Sequence, residues 1–372
     1  MRIVIVTHCF KASDGQGRVN AEVARAAALA GHQVHLIADE VAPDLVEAPG
    51  ITWTRATHGP LPTALLKYAW FWASSGLALR KVRKGADVVV VNGSVTAGRS
   101  DLNAVHFVHG GWRASRHYRT AGGLKGLYQT LLGRLNIISE RRAFDRSRLL
   151  TAVSPAVAEE IRRVRPSASI EIIPNGVDCQ EFHPRDAGEV RPKEAVILFA
   201  GDIRTSRKNL DTVLQALTRL PGARLHVAGD TTGSPYPEMA RSLGLQDRVR
   251  FLGQRGDMAD VMRDADLFVF PSRYEPFGLV ILEALATGLP VVTTVAAGAA
   301  ELVRDADGVV LQDPDDVEAL ARETGVLLAD AARMARAGLA GRRIAVEHSW
   351  DRMARRYIDA FERLAPTTST AS

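Results

Sequence analysis

The chain has 372 residues, 46% hydrophobic and 24% charged, with a net charge of +5; this excludes a disordered chain and suits two soluble domains better than one. Its two cysteines, Cys9 and Cys179, stand at no metal-ligand spacing, which argues against a disulfide framework and for a reducing cytoplasm. The most apolar stretch, Leu61 to Leu79, is broken by Pro62, Lys67, Ser74, Ser75 and Gly76 and does not read as a membrane span.

Arg2-Ile3-Val4-Ile5-Val6 is strand-like from the outset, with no basic stretch, apolar core and cleavage site before it, so no signal peptide is expected. Strand candidates in the first half are 3–7, 33–37, 87–91, 105–109, 149–153 and 170–173, alternating with helical stretches. After the first comes Gly15-Gln16-Gly17, whose glycines let backbone approach a ligand; an Ala-rich helix over 19–30 closes at Gly31. Lys67-Tyr68-Ala69-Trp70-Phe71-Trp72 suits either an interfacial helix or one packed on the sheet. His109 ends the fourth strand candidate ahead of Gly110-Gly111, a place that faces a cleft; His106, three residues earlier, should point the other way and be structural. Residues 1–183 hold 23 Lys/Arg against 15 Asp/Glu, the remainder 24 against 27. Nine of those cations fall in 113–148, with Glu140 and Asp145 the sole acids there. Such a basic half suggests an anionic partner, membrane lipid or a phosphorylated acceptor; no motif accompanies it that would support nucleic acid.

Phe182 to Lys193, with Pro184, Gly188 and Pro192 among charges, reads as the interdomain linker. The alternation then restarts with strand candidates 196–200, 224–228, 249–251, 267–270, 290–293 and 308–311. Two doubly wound domains predict ligand binding at the carboxyl ends of their strands. Pro366 to Ser372 reads as a disordered tail.

The most informative stretch is Pro271-Ser272-Arg273-Tyr274-Glu275-Pro276-Phe277-Gly278-Leu279-Val280-Ile281-Leu282-Glu283-Ala284. Two carboxylates eight apart bracket a helix start. Backbone N–H groups from Phe277 through Gly278 and Leu279 to Val280 would face an anion such as a diphosphate, and Glu275 and Glu283 would accept from sugar and ribose hydroxyls. Asp-x-Asp matches at Asp264/Asp266, Asp305/Asp307 and Asp313/Asp315 sit in turn or helix-end contexts, where Asp serves local hydrogen bonds; no metal site is expected.

This stretch resembles the signature of family 4 retaining glycosyltransferases, whose two Rossmann-like domains face each other across a cleft in the GT-B architecture. The resemblance extends to Gly288-Leu289-Pro290-Val291-Val292, Val153-Ser154, Pro174-Asn175-Gly176-Val177-Asp178, Glu301 after Gly298, and Ser349-Trp350 at the start of a basic helix. It implies that Glu283 binds the donor ribose, Glu275 the transferred sugar, and Phe277 and Gly278 the phosphate or sugar through backbone. It also implies that the Gly15/Gly17 loop lies beside the donor phosphate and that His109 lies near the transferred sugar. Where the family has an Arg after the Gly that begins its second domain, this chain has Asp202 after Gly201; Lys208 keeps a compatible spacing, and Arg204, or else Arg207, is expected to supply the second cation.

The expectation is therefore an α/β chain of two doubly wound domains: 1–185 with 350–372 for the acceptor, 186–349 for the donor. The reaction implied is metal-independent, retaining transfer of a hexose-type unit from a nucleotide-diphosphate sugar, UDP-sugar favoured, without a cofactor. The acceptor would be a glycan, lipid-linked or small-molecule hydroxyl, reached in the cytoplasm or at the inner face of the membrane. A nucleotide-sugar epimerase or phosphorylase, or a non-catalytic sugar-nucleotide-binding protein, are the alternatives.

Overall fold

The computed structural model describes residues 1–11, 14–185 and 194–366, and the chain divides into two compact units, Met1–Asn175 with Trp350–Ser372 and Gly176–Ser349.

In the first unit, β1 (Arg2–Val6), β2 (Gln33–Ala38), β3 (Ile51–Arg55), β4 (Val88–Asn92), β5 (Ser100–Val105), β6 (Ser147–Ala152) and β7 (Ile170–Ile172) form one parallel sheet. Its order is β3-β2-β1-β4-β5-β6-β7. β1 and β4 are near-continuous Val/Ile runs because helices cover both faces of a parallel sheet and water reaches neither. Around it lie α1 (Gly15–Leu29), α2 (Ala64–Val82), α3 (His109–Ala114), α4 (Gly123–Asp145) and α5 (Pro155–Val164).

Two sequence expectations shift here. The strand expected over 105–109 ends at Val105 and begins at Ser100. Asp101 and Asn103 disguise it, because their polarity is used up inside the sheet. Asp101 accepts from the Val89 N–H at 2.9 Å, and fully buried Asn103 accepts from Gly93 N–H at 2.8 Å while donating to Gly93 O at 3.0 Å. The strand Ile51–Arg55, at the sheet edge, has no counterpart in the sequence reading.

The second unit repeats the winding: β8 (Ala195–Ala200), β9 (Ala223–Ala228), β10 (Val249–Gly253), β11 (Leu267–Phe270), β12 (Val291–Thr294) and β13 (Val309–Leu311), ordered β10-β9-β8-β11-β12-β13 and parallel throughout. α6 (Leu279–Ala286) follows β11, and α7 (Ala331–Glu347) packs on α6.

The chain then returns to the first unit as α8 (Trp350–Leu364), which lays Met353, Tyr357 and Phe361 inward against α1 and the sheet. The division at Asn175/Gly176 does not coincide with the expected 185/186 boundary. Phe182 is buried, and Arg342 on α7 donates to the carbonyls of Phe182 (2.7 Å) and Cys179 (2.9 Å), so the start of the expected linker belongs to the second unit. Its remainder, 186–193, and the tail 367–372 lie outside the described residues.

Candidate active site

In the second sheet the strand order reverses between β8 and β11, so the loops beyond their carboxyl ends diverge and leave a crevice. After β8, a 3-10 turn over Ser206–Lys208 ends at Asn209, which takes the left-handed conformation at φ 69°. Asn209 is fully buried, and its amide donates to Pro271 O (2.8 Å) and Pro314 O (2.6 Å), tying the β8 loop to the loops that follow β11 and β13. That tie delivers Lys208 to Glu275: the ammonium forms an ion pair with the carboxylate and lies 5.2 Å from the Phe270 ring centroid. Burial pulls the Lys208 pKa below its usual value, and the Glu275 charge opposes that pull.

Glu275 is fixed through its backbone. Its N–H donates to Ala296 O at 3.0 Å, and Gly298 N–H donates to its carbonyl at 2.8 Å; Ala299 N–H holds Phe277 O at 2.8 Å. Gly278 sits at φ 101°, where a Cβ would also lie 3.0 Å from Ile281 Cδ1 and 3.3 Å from Glu275 Cγ, so glycine is required. It is the N-cap of α6 and, being glycine, offers no side chain of its own to the helix's first N–H groups. Leu279 is the first residue of α6, buried Phe277 precedes the cap, and Glu283 lies half-buried on the same helix. The structure thus brings Lys208, Glu275 and the glycine-capped start of α6 together.

The arginines separate. Arg204 Nε donates to Asp202 Oδ1 at 2.9 Å, and its Nη1 lies 3.7 Å from Asp230, so the residue standing where the family has a cation neutralises the expected substitute. Arg207 reaches Tyr274 O at 3.4 Å, next to Glu275, and its charge acts on Lys208. The Asp-x-Asp pairs are engaged structurally: Asp266 accepts from Val196 N–H at 2.8 Å, Asp307 pairs with Arg333 and Arg336, and Asp315 pairs with Arg273.

In the first unit, Gly15 and Gly17 form the first turn of α1 rather than a loop ahead of it, since Asp14 is the N-cap and accepts from Gly17 N–H at 2.6 Å. A Cβ at Gly17 would lie 2.9 Å from Lys11 O, so the tight turn excludes other residues. His109 opens α3 instead of ending a strand. Its N–H donates to Glu140 Oε2 at 2.7 Å, and burial lowers its pKa. His106 follows β5 directly; burial pushes it to about 4, against the pull of Asp14, and its Nε2 is buried without a hydrogen-bond partner among the described residues.

Sequence reasoning missed two clusters here, because their members are far apart in the chain. One is Glu140 beneath His109. The other is a relay in which Asp39 accepts from His58 Nδ1 (2.8 Å) and His58 Nε2 meets His8 Nδ1 (3.1 Å), against Phe71. The carboxylate holds the proton on His58 Nδ1, so His58 Nε2 accepts from His8 Nδ1–H.

Two helices of this unit present apolar side chains outward. α4 exposes Leu124, Leu127, Leu131, Leu135 and Ile138 at helical spacing, the first two 87% and 68% exposed. α2 buries Phe71, Ala78 and Leu79 on the sheet, as the packed reading expects, yet exposes Leu66, Tyr68, Trp70, Trp72 and Leu77. Leu65 N–H, at the start of α2, donates to the Tyr128 hydroxyl on α4 at 3.0 Å, so the two helices adjoin. No described helix is long and apolar enough to cross a membrane.

Comparison with known proteins adds sequence and fold evidence. Residues 13–181 match the family model described as Glycosyltransferase Family 4, and residues 194–330 the one described as Glycosyl transferases group 1. The chain is 32% identical over 291 residues to a D-inositol 3-phosphate glycosyltransferase of Xylanimonas cellulosilytica, covering 72% of this chain and 68% of that protein. It is 35% identical over 201 residues to the Mycobacterium marinum protein of the same name, covering 50% of this chain and 43% of that one. The chain spans about half the length of several such curated relatives. Among solved structures it resembles sucrose-phosphate synthase from Thermosynechococcus elongatus (TM-score 0.79, 21% identity, 98% of each chain). It also resembles Anabaena Alr3699/HepE in complex with UDP and glucose (TM-score 0.73, 19% identity, 98% of this chain and 100% of that one). At such identities these likenesses bear on the fold, which is of the two-Rossmann GT-B class.

Proposed function

The chain belongs to glycosyltransferase family 4, and from that premise we propose that it transfers a hexose-type unit from a nucleotide-diphosphate sugar, a UDP-sugar first, to an acceptor hydroxyl. The transfer proceeds with retention and without a divalent ion. The observation that carries the reading is the Lys208–Glu275 pair beside the glycine-capped start of α6, at the switch point of the second sheet. As the glycosidic bond breaks, the departing diphosphate gains charge; a preset ammonium and the N–H groups of Gly278 and Leu279 stabilise that charge without reorganisation. Glu275 accepts from hydroxyls of the transferred sugar and Glu283 from the ribose, and the family likeness assigns His109 to the transferred sugar. Arg207 is better placed than Arg204 for the second cation, since Asp202 and Asp230 hold Arg204. The Anabaena neighbour's complex with UDP and glucose supports the donor class.

On the acceptor side, relatives named for D-inositol 3-phosphate support a phosphorylated small molecule, and the basic first unit is suited to one. The exposed leucines and aromatics of α2 and α4 among those cations support a peripheral anionic membrane surface as well. The deciding experiment incubates the protein with a panel of nucleotide sugars, with and without excess chelator. Free nucleotide formed equally in both is the expected result. Isomerised donor would make it an epimerase, binding without turnover a non-catalytic protein, and metal-restorable loss under chelator would end the metal-free reading.

A further inference from the structure

Glu140, on α4, is 3% exposed and faces the start of α3. Its Oε2 accepts from His109 N–H at 2.7 Å and its Oε1 from Gly110 N–H at 3.3 Å. One carboxylate therefore holds the first two N–H groups of a helix of six residues, which no side chain of its own N-cap residue satisfies. The surroundings are built around this contact. A Cβ at Gly110 would lie 3.7 Å from Glu140 Oε1, while one at Gly111 would lie 2.3 Å from the Glu160 carboxyl carbon on α5. Gly111 thus makes room for the Glu160 carboxyl, while a Cβ at Gly110 would stand in ordinary contact with Glu140, so two carboxyl groups converge on one helix turn. A buried carboxylate so costly to desolvate is not needed merely to end a helix, a task that a serine or asparagine performs at the surface.

We propose that Glu140 is a positioning residue: by clamping the backbone of His109 and Gly110 it fixes the direction from which the His109 imidazole meets the transferred sugar. This rests on the assignment of His109 to the reaction made above. The clamp needs the charged form, which accepts at both oxygens; the neutral acid turns one of them into a donor facing an N–H. Burial pushes the Glu140 pKa up to about 7, helped by the negative charge of Glu160 and opposed by the two N–H groups. The ionisable residues set against it are Glu160 on α5 and His109, whose backbone N–H it accepts. Burial holds His109 itself below its ordinary value.

The test measures donor turnover in wild type, Glu140→Gln, His109→Ala and the double variant, from pH 6 to 8. His109→Ala should lose roughly a hundredfold in kcat and Glu140→Gln roughly tenfold, the scale of a misplaced reacting group, with the donor KM unchanged. The double variant should be no slower than His109→Ala alone, because Glu140 acts through His109. In wild type, kcat should rise with pH through a single ionisation near 7, and that limb should vanish in Glu140→Gln. Equal losses from Glu140→Gln in the wild-type and His109→Ala backgrounds would overturn the proposal. So would a flat wild-type profile, a result that stands even if Glu140→Gln fails to fold. Full turnover in His109→Ala would instead remove His109 from the reaction, which is a failure of the assignment beneath the proposal.

Discussion

In the second unit the candidate residues hold one another: Lys208 pairs with Glu275, Asn209 ties their loops, and backbone bonds from Gly298 and Ala299 lock the turn before α6. In the first unit the polar groups are turned inward, with Glu140 buried and His106 half-buried, while α2 and α4 put leucines and tryptophans outward among cations. The difference matches what we propose each region meets. A diphosphate is compact and its charge grows during reaction, so the cation must already be in place and partly dehydrated. An extended anionic partner is met by a surface, where many weak apolar and ionic contacts add up.

The strongest test of that contrast is Lys208→Ala, expected to lower kcat by roughly 10²–10³ through the loss of 2–4 kcal/mol of transition-state stabilisation. Because it strands a half-buried carboxylate, it should also lower Tm; Lys208→Met with Glu275→Gln should recover much of the stability and none of the activity. Arg207→Ala should fall between Lys208→Ala and Arg204→Ala, whose guanidinium is already spent on Asp202. Turnover at the wild-type level in Lys208→Ala would take the pair out of the site.

A smaller effect is expected on the other side of the comparison. The protein should bind anionic vesicles reversibly and release as salt rises, since exposed charges are screened beyond about 10 Å at 0.1 M. Each Lys or Arg near an acidic bilayer contributes roughly 1 kcal/mol, so reversing Arg116 and Arg119 should weaken binding on the order of tenfold or more. Leu124→Asp with Leu127→Asp should weaken it similarly, and neither change should alter donor affinity. Vesicle binding that survives both would leave these faces without a membrane role.

Much of this was legible in the sequence for a physical reason. Parallel strands buried on both faces leave unbroken apolar runs, and the second-unit turn keeps Glu275, Gly278 and Glu283 within nine residues, where local spacing can be read. β5 was misplaced because Asp101 and Asn103 look like loop residues until their backbone partners are known. Asp39–His58–His8 and Glu140–His109 join residues tens of positions apart, so no local pattern marks them. Asp202 was read as a missing cation; its capture of Arg204 depends on side-chain geometry that spacing does not carry.

The smallest expected effect is on stability, and it also separates the units. Burial pushes His8 and His106, both in the first unit, down to about 4, so between pH 4 and 6.5 the unfolded chain binds protons that the folded one does not. Stability from these two groups is present above 6.5 and is lost as pH falls through 4. Glu140 works the other way: with its folded pKa near 7 and its ordinary value at 4.5, the folded state holds the extra proton. Its contribution is full below 4.5 and is lost as pH rises through 7. From 4.5 to 6.5 the two histidines oppose one carboxyl, and above 6.5 the carboxyl acts alone, so protection of the first unit should peak near pH 6.5. Hydrogen exchange, corrected for intrinsic rates, should show β1 and β5 losing protection from pH 6.5 to 4.5 faster than β8 and β11. His106→Gln should flatten that loss. If both units lose protection in parallel, and His106→Gln changes neither, the buried histidines do not set the acid limit and the contrast between the units does not extend to their stability.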